Sequence, residues 1–335
     1  MPQTTPRKGC WRKAVRAVCF LCLFALLFVW FTDVLRDKTD VDIIRPYYDE
    51  PANSLDIVFV GSSHIMCGVY PMELYEASGY MSYAFTISAQ TVPQMYYQTV
   101  AALETQHPQL IVLDMGELLF SGKTGDKAFV HRQTDNIRYS LNKVQLIVDL
   151  LEPEERIPNF LNLVLYHSRW KELTEEDFSV TMAVTKGTKV FFTAEEQTPP
   201  DVPPTTQTAP IASVTDAYLR RTIELCRSRG VEVLLLYIPS CLKTEEYEKI
   251  FSAAQYAEEY GIEFLNLMEY FDELGLDYAS DFRDSYHLNA YGARKVTAFL
   301  ASWLPEHYPL AQEHSAALIE RWDRALEEYR AEYPK

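Results

Sequence analysis

The stretch VFVGSSHIMCGVYP, residues 58–71, decides the fold. Residues 56–60 form an apolar run of strand length that stops at Gly61, and two serines and a histidine follow immediately. An ordinary turn accounts for this pattern, because Gly and Ser are common turn formers. A nucleophile held on a strand-to-helix turn accounts for it as well. Residues more than two hundred positions downstream decide between these two interpretations.

Further apolar runs follow along the chain and alternate with helical patterns. The predicted strands are residues 56–60, 82–86, 110–115, 231–238 and 262–267. Several of them are continuously apolar, which is typical of strands covered on both faces. Amphipathic patterns at about 93–106, 213–229 and 244–260 predict helices between them. The alternation predicts an α/β fold over residues 54–305, with a doubly wound parallel sheet in a flavodoxin-like three-layer sandwich.

Residues 121–210 break this rhythm and are expected to form an insertion. They contain helical patterns at about 141–151 and 156–166. Residues 193–210 carry five prolines and predict an extended loop or an active-site lid, with a disordered linker as the alternative. Residues 306–335 are expected to add a charged, amphipathic C-terminal helix.

The uncharged segment AVCFLCLFALLFVWFT, residues 17–32, is typical of a membrane span. Residues 1–32 carry five basic side chains and no acidic one, so the positive-inside rule places the N-terminus in the cytoplasm. A cleaved signal peptide is the alternative, but no small-x-small cleavage site follows the apolar run. The sequence predicts a single-pass protein of the cell membrane, with a basic cytoplasmic segment (1–16), a transmembrane anchor (17–35), a polar stalk (36–53) and an extracytoplasmic domain.

Charge and cysteine usage exclude several classes of function. The net charge is −16, and an acidic body argues against a nucleic-acid partner, whose phosphates need a basic face. Outside the N-terminal segment the cysteines are Cys67, Cys226 and Cys241, an odd number that forms no disulfide framework. No Cys/His spacing predicts zinc, so neither a metal nor a cofactor is expected.

The downstream stretch is SDFRDSYHLNAYGARKVTAFL, residues 280–300. Asp284 and His287 are three residues apart, directly before a helix that begins near Asn289. On a turn, this spacing lets the carboxylate reach Nδ1–H of the imidazole and leaves Nε2 free to accept a proton. The strand-one turn and this loop both belong to the carboxyl edge of a parallel sheet, where doubly wound folds place their sites. We therefore expect Ser63 to meet His287.

These two blocks resemble those of the SGNH or GDSL hydrolases. In that family an apolar strand leads into Gly, a small polar residue and the nucleophilic Ser, here residues 58–63, and the last block is Asp-x-x-His, here residues 284–287. The resemblance implies Ser63 as nucleophile, His287 as general base and Asp284 as orienting acid. The second block of that family has a Gly whose backbone N–H helps to form the oxyanion hole, and Ala89 stands in its place within residues 83–90. The resemblance therefore implies the N–H groups of Ser63 and Ala89 as the oxyanion hole.

The third block departs from the family pattern. The family has an Asn whose side chain donates to the oxyanion, whereas this chain has Asp114-Met115-Gly116-Glu117. Loss of one such donor costs about 2.7–4 kcal/mol of transition-state stabilisation. The chain thus resembles the membrane-tethered branch of the superfamily, similar to proteins of teichoic acid D-alanylation and alginate O-acetylation, which work beside a membrane-bound O-acyltransferase.

The resemblance implies an extracytoplasmic acylesterase or O-acyltransferase acting on cell-envelope polysaccharide. A catalytically silent accessory protein for a membrane-bound O-acyltransferase is the alternative, and a flavodoxin-like nucleotide binder is disfavoured because no Gly-rich phosphate loop follows strand one. The candidate substrate-binding residues are His64, Glu117, Arg169, Trp170 and Tyr237. Each also has a structural explanation: Glu117 as a partner of local backbone donors, for example, and Trp170 as an anchor for the insertion.

Overall fold

A computed structural model describes residues 8–125 and 127–334. Its centre is a parallel sheet of five strands in the order β2-β1-β3-β4-β5. The strands are β1 Ile57–Gly61, β2 Ser82–Thr86, β3 Leu110–Asp114, β4 Glu232–Tyr237 and β5 Glu263–Asn266. Each predicted strand agrees with these bounds to within one residue, so the predicted α/β fold with a doubly wound parallel sheet is confirmed.

Helices cover both faces of the sheet. They are α1 Lys8–Leu35, α2 Val41–Ile44, α3 Ser63–Gly68, α4 Pro71–Ser78, α5 Val92–Leu103, α6 Lys127–Asn136, α7 Leu141–Leu150, α8 Pro153–Phe160, α9 Asn162–Tyr166, α10 Ser213–Ser228, α11 Thr244–Phe251, α12 Ala253–Tyr260, α13 Ala290–His307 and α14 Ala316–Glu332. Short 3₁₀ turns span Arg45–Asp49, Met115–Phe120, His167–Lys171, Glu175–Asp177 and Leu267–Tyr270.

Two apolar layers explain why the strands are apolar throughout. Val58 and Val60 point into a layer that includes side chains of α5, α10 and α11. Ile57 and Phe59 point into the opposite layer, with side chains of α3, α4 and α13. Since successive side chains of a strand face opposite sides, both sets are buried and the period-two alternation disappears.

The insertion occupies the connection between β3 and β4. Its helix α7 packs on α5, and its later part lies along the edge strand β2, where Ala84 N–H donates to the Lys186 carbonyl at 3.0 Å. The proline-rich residues 193–210 contain no helix or strand. Their start is bound to the loop before α13, since Glu195 N–H donates to the Phe282 carbonyl at 2.9 Å.

The N-terminal helix stands apart from the core until its last turn. Residues Trp11–Leu35 are long and apolar enough to cross a membrane, and only 11% of an 18-residue window within them is buried. A signal sequence near the N-terminus has the same properties. Residues 1–7 of the predicted basic segment lie outside the described residues. Residues 36–53 differ from the expected polar stalk, because Ile43 and Tyr47 are buried and hold α2 and the following turn on the domain.

Candidate active site

Ser63 lies at the junction between β1 and α3, as the first residue of the helix. The strand ends in Gly61 because β3 approaches closely there: a Cβ at position 61 would lie 2.3 Å from Cβ of Asp114. The Asp114 carboxylate accepts from Ser62 N–H at 3.4 Å. The glycine and the buried carboxylate together hold the strand-to-helix turn that presents Ser63.

Ser63, His287 and Asp284 form one continuous hydrogen-bonded chain. The Ser63 hydroxyl lies 2.7 Å from His287 Nε2. His287 Nδ1 lies 2.8 Å and 2.9 Å from the two carboxylate oxygens of Asp284. A proton on Nδ1 satisfies Asp284 and leaves the Nε2 lone pair directed at the serine hydroxyl, which is the arrangement of a nucleophile with its base.

The loop that carries His287 is fixed from three sides. Arg283 N–H donates to the His287 carbonyl at 2.9 Å, closing the loop on itself. Cys241 N–H, from the segment after β4, donates to the Ser285 carbonyl at 2.7 Å. Asn289 caps α13 by accepting from the N–H groups of residues 291 and 292. The imidazole is therefore held by the sheet edge and the helix, and not by Asp284 alone.

Asp284 is suited to remain a carboxylate. Burial acts to raise its pKa, but the hydrogen bond from His287 and the backbone N–H groups of Tyr286 and His287 outweigh burial and hold the pKa of Asp284 below its ordinary value. An ionised Asp284 at neutral pH stabilises the imidazolium that forms when His287 accepts the serine proton.

A second acid–base cluster lies beneath the triad. His64 is 7% exposed, with its ring centre 5.8 Å from that of His287 and its Nδ1 3.9 Å from the Asp114 carboxylate. Gly116 leaves space for the His64 ring, since a Cβ at position 116 would lie 2.0 Å from its Nδ1. His64 thus packs against His287 on its buried side. Burial lowers the pKa of His64, so the His64 ring stays neutral.

Glu117 completes this cluster from below. It is 1% exposed, so this candidate substrate-binding residue is buried and not open to a substrate. Burial, followed by the charge of Asp114, raises the pKa of Glu117 well above its ordinary value. Burial likewise raises the pKa of Asp114, against the opposing effects of His64 and the Gly116 and Ser62 N–H groups. Burial therefore favours the protonated form of both carboxyl groups.

The predicted oxyanion residue Ala89 lies in the turn after β2. This turn is joined to β1 by Ile87 N–H, which donates to the Gly61 carbonyl at 3.2 Å. Ala89 has φ of 52°, in the left-handed region where glycine is favoured. A left-handed residue at this position is what a family glycine supplies, and alanine adopts it here at the expense of backbone strain.

The other candidate residues are divided between two places. Tyr237 is fully buried at the end of β4, where its hydroxyl bonds to Ser240 and its ring centre lies 6.4 Å from that of His64. Arg169 contacts the end of α1 and not the triad, and Trp170 follows it in the same 3₁₀ turn. Arg169 Nη1 lies 2.8 Å from the Leu35 carbonyl, and Trp170 is 64% exposed.

Sequence reasoning missed the positioning roles of Asp114 and Gly116. The signal was present in the sequence, because Asp-x-Gly at the end of β3 faces Gly-Ser-Ser at the end of β1 once the two strands are paired in register. To recognise this signal, one must know that Val60 pairs with Leu113, and no local sequence pattern predicts that register.

No protein-family model and no curated protein matches this chain. Among solved structures, a protein described as lipolytic and of the G-D-S-L family from Desulfitobacterium hafniense DCB-2 matches at 10% identity and a TM-score of 0.40, over 73% of this chain and 97% of that chain. A GDSL-like lipase from Bacteroides thetaiotaomicron VPI-5482 matches at 11% identity and a TM-score of 0.37, over 78% of this chain and 95% of that chain. A protein described as an acylhydrolase from Bacteroides fragilis NCTC 9343 matches at 12% identity and a TM-score of 0.38, over 78% of this chain and 94% of that chain. These scores are low, so the fold rests on the strand order and the site rests on its contacts.

Proposed function

We propose that this chain is a membrane-anchored, extracytoplasmic serine acylesterase or O-acyltransferase of SGNH type, acting on ester groups of cell-envelope polysaccharide. The observation that carries the proposal is the chain of contacts from Ser63 through His287 to Asp284, with 2.7 Å between the hydroxyl and the imidazole. A binding protein has no need for a base within hydrogen-bond distance of a hydroxyl on a strand-to-helix turn.

The reaction follows from the three side chains. Ser63 Oγ attacks the ester carbonyl while its proton passes to His287 Nε2, and Asp284 stabilises the resulting imidazolium. The tetrahedral intermediate collapses when the alcohol leaves with that proton, and the acyl group stays on Ser63. His287 then takes a proton from water or from a glycan hydroxyl, which attacks the acyl-enzyme. The second tetrahedral intermediate collapses as His287 returns that proton to the leaving Ser63 Oγ, which releases the acid or the new ester.

Two backbone N–H groups, those of Ser63 and Ala89, are the proposed oxyanion donors. The first N–H groups of a helix have no partner within the helix, so Ser63 N–H is available to the intermediate. Without the family's Asn side chain, we expect turnover to be slower than in a complete SGNH site by about the 10²–10³-fold that one such donor contributes.

The end of α1 supports an uncleaved anchor over a signal peptide. Val34 and Leu35 are each 5% exposed, so the last turn of the apolar helix is packed into the domain. Arg169 Nη1 donates to the carbonyls of Leu35 and Arg36, at 2.8 Å and 2.5 Å. Cleavage after the apolar run would remove a segment on which the insertion depends.

The test is hydrolysis of p-nitrophenyl acetate by the full-length protein in detergent. Ser63→Ala and His287→Ala should each lower turnover by about 10³-fold or more, as removal of a triad member does elsewhere. Ser62→Ala is the matched control, because it removes the neighbouring hydroxyl of the same turn without touching His287. Equal losses in the Ser62 and Ser63 variants would contradict the assignment.

A folded wild-type protein that turns over no ester would favour the second candidate, an accessory protein for a membrane-bound O-acyltransferase. One observation supports this second candidate: the chain lacks the Asn of the family's third block, and so lacks a side-chain donor to the oxyanion. Turnover that appears when such a partner is added would return Ser63 to the catalytic role.

A further inference from the structure

Exposed apolar side chains are concentrated in the insertion. Outside α1, fifteen large apolar side chains of the described residues are exposed, and nine of them lie between Tyr139 and Phe178. Single exposed apolar residues are ordinary, whereas such a concentration in one segment marks an interaction surface. We define the insertion's apolar face by six of these residues: Tyr139, Leu141, Ile157, Leu161, Val164 and Trp170.

The insertion lies directly against the outer end of α1. Arg169 donates to the carbonyl of Leu35, and Arg36 Nη1 donates to the carbonyl of Asp135 at 2.9 Å. A cavity of about 340 Å³ separates the two elements, lined by Phe28 and Val29 from α1 and by Tyr139 from the insertion. Tyr139 is the residue of the apolar face that lines this cavity, together with charged residues such as Asp33 and Asp135. The helix α9, which carries Val164, also packs on α1.

The geometry sets the depth at which they meet. Phe28 precedes Leu35 by seven residues, which is about 10 Å along a helix that rises 1.5 Å per residue. The 25 residues Trp11–Leu35 extend about 37 Å, between the thickness of the hydrocarbon core, about 30 Å, and that of the whole bilayer, about 40–45 Å. If α1 spans a bilayer with its midpoint at the bilayer centre, Phe28 lies about 7 Å inside the boundary between headgroups and acyl chains, and insertion residues beside it lie near that boundary.

We propose that the insertion's apolar face lies in this boundary of the outer leaflet, so that the phospholipid bilayer holds the domain at a second point besides α1. The inference rests on the anchor of the proposed function. The bilayer is the occupant because any membrane that contains α1 must meet a face that packs beside Phe28, whereas no such necessity holds for a protein partner.

The aromatic and basic residues of the face fit this location. Trp and Tyr are enriched where acyl chains meet headgroups, and lysines reach from there to the phosphates. The exposed Lys171 places its Nζ 5.6 Å from the ring centre of Trp170. Burial of apolar faces by about 5–10 Å at this boundary is the binding mode of interfacial helices.

The experiment is quenching of tryptophan fluorescence by brominated phospholipids in vesicles that contain the full-length protein. The emission of Trp170 is the difference between the wild type and Trp170→Phe. It should fall at least about twofold in brominated phosphatidylcholine relative to the unbrominated lipid. Trp303 is the control, because it packs in the layer with α3, α4 and α13, on the other face of the sheet from the insertion. Its emission, obtained in the same way from Trp303→Phe, should not be quenched.

The outcomes separate this inference from the anchor on which it rests. Quenching of the remaining emission, which includes Trp30 of α1, without quenching of Trp170 would overturn the second attachment and leave the anchor intact. Absence of all quenching would overturn both. Ile157→Asp with Val164→Asp should reduce the quenching of Trp170, whereas Ile319→Asp, an exposed apolar position on α14, should leave it unchanged. Equal effects of these variants would also contradict the inference.

Discussion

Gly116→Ala is expected to disable the site through His64. A Cβ at position 116 would lie 2.0 Å from Nδ1 and 2.6 Å from Cε1 of His64, well inside van der Waals contact. The His64 ring is buried between those of His287 and Tyr237, with ring centres at 5.8 Å and 6.4 Å, so it moves only by displacing a neighbour. Overpacking of this kind costs about 1–3 kcal/mol of folding free energy. Displacement of His287 also breaks its 2.7 Å contact with Ser63.

A double-mutant cycle with His64→Ala tests this directly. Removal of the imidazole leaves room for a methyl group at position 116, so Gly116→Ala should have little effect in the His64→Ala background. The coupling should be about 1–3 kcal/mol, within the range found for residues in contact. The measurements are the urea-unfolding free energy of the full-length protein in detergent and the rate at which a fluorophosphonate labels Ser63. An equal loss of unfolding free energy for Gly116→Ala in both backgrounds would show that the substitution does not act through His64.

The remaining predictions concern pH and the junction with α1. Burial and the charge of Asp114 raise the pKa of Glu117, so the native state keeps a proton that the unfolded state releases above its ordinary pKa of 4.5. Urea unfolding at a series of pH values should show wild-type stability falling as pH rises from there, and Glu117→Gln should reduce this slope and be more stable at neutral pH. Burial acts to raise the pKa of Asp284, but hydrogen bonds from His287 and from two backbone N–H groups outweigh it and lower the pKa below its ordinary value of 3.8. The stability that the ionised carboxylate provides is complete above pH 3.8 and is lost as pH falls through the native pKa. In Asp284→Asn the free energy of unfolding should therefore fall less steeply with decreasing pH below 3.8. Arg169→Ala should speed tryptic cleavage at Arg36 and Lys38, because the carbonyls of Leu35 and Arg36 lose their donor, whereas Arg220→Ala, which breaks a surface ion pair on α10, should not.

The strands and the triad could be predicted because their signals are local. Strands covered on both faces are continuously apolar, and each is bounded by polar or turn residues. Asp284 and His287 are three residues apart on one loop, and the carboxyl ends of parallel strands and their loops share an edge of the sheet. The approach of Ser63 to His287 then follows from topology, without any knowledge of side-chain packing.

Features that depend on distant packing partners could not be predicted. Glu117 is polar and follows a strand, yet the turn after β1 covers it completely. Residues 36–53 have a polar composition, but Ile43 and Tyr47 pack beside side chains of β2 and α5 and fix the segment. In α14 the amphipathic pattern predicts a helix with one face packed on the domain, and Trp322 and Tyr329 are buried on that face, but the pattern does not predict which residues they meet. In each case the deciding contact is made by residues far away in the sequence.

Helix interruptions were missed for a more local reason. The pattern over 244–260 is one amphipathic stripe, but Ser252 divides it into α11 and α12, and its hydroxyl donates to the carbonyls of Ala209 and Glu248. The carbonyl of Ala209 belongs to the proline-rich segment, so this hydrogen bond depends on how the insertion folds. Periodicity detects the buried stripe and not the break within it.

The central claim is that Ser63 is an activated nucleophile. The most direct measurement is mass-spectrometric mapping of the adduct that a fluorophosphonate forms with the full-length protein. We expect a single adduct, on Ser63, that disappears in His287→Ala. An adduct on Ser62 or elsewhere, or no adduct on a protein shown to be folded, would contradict it.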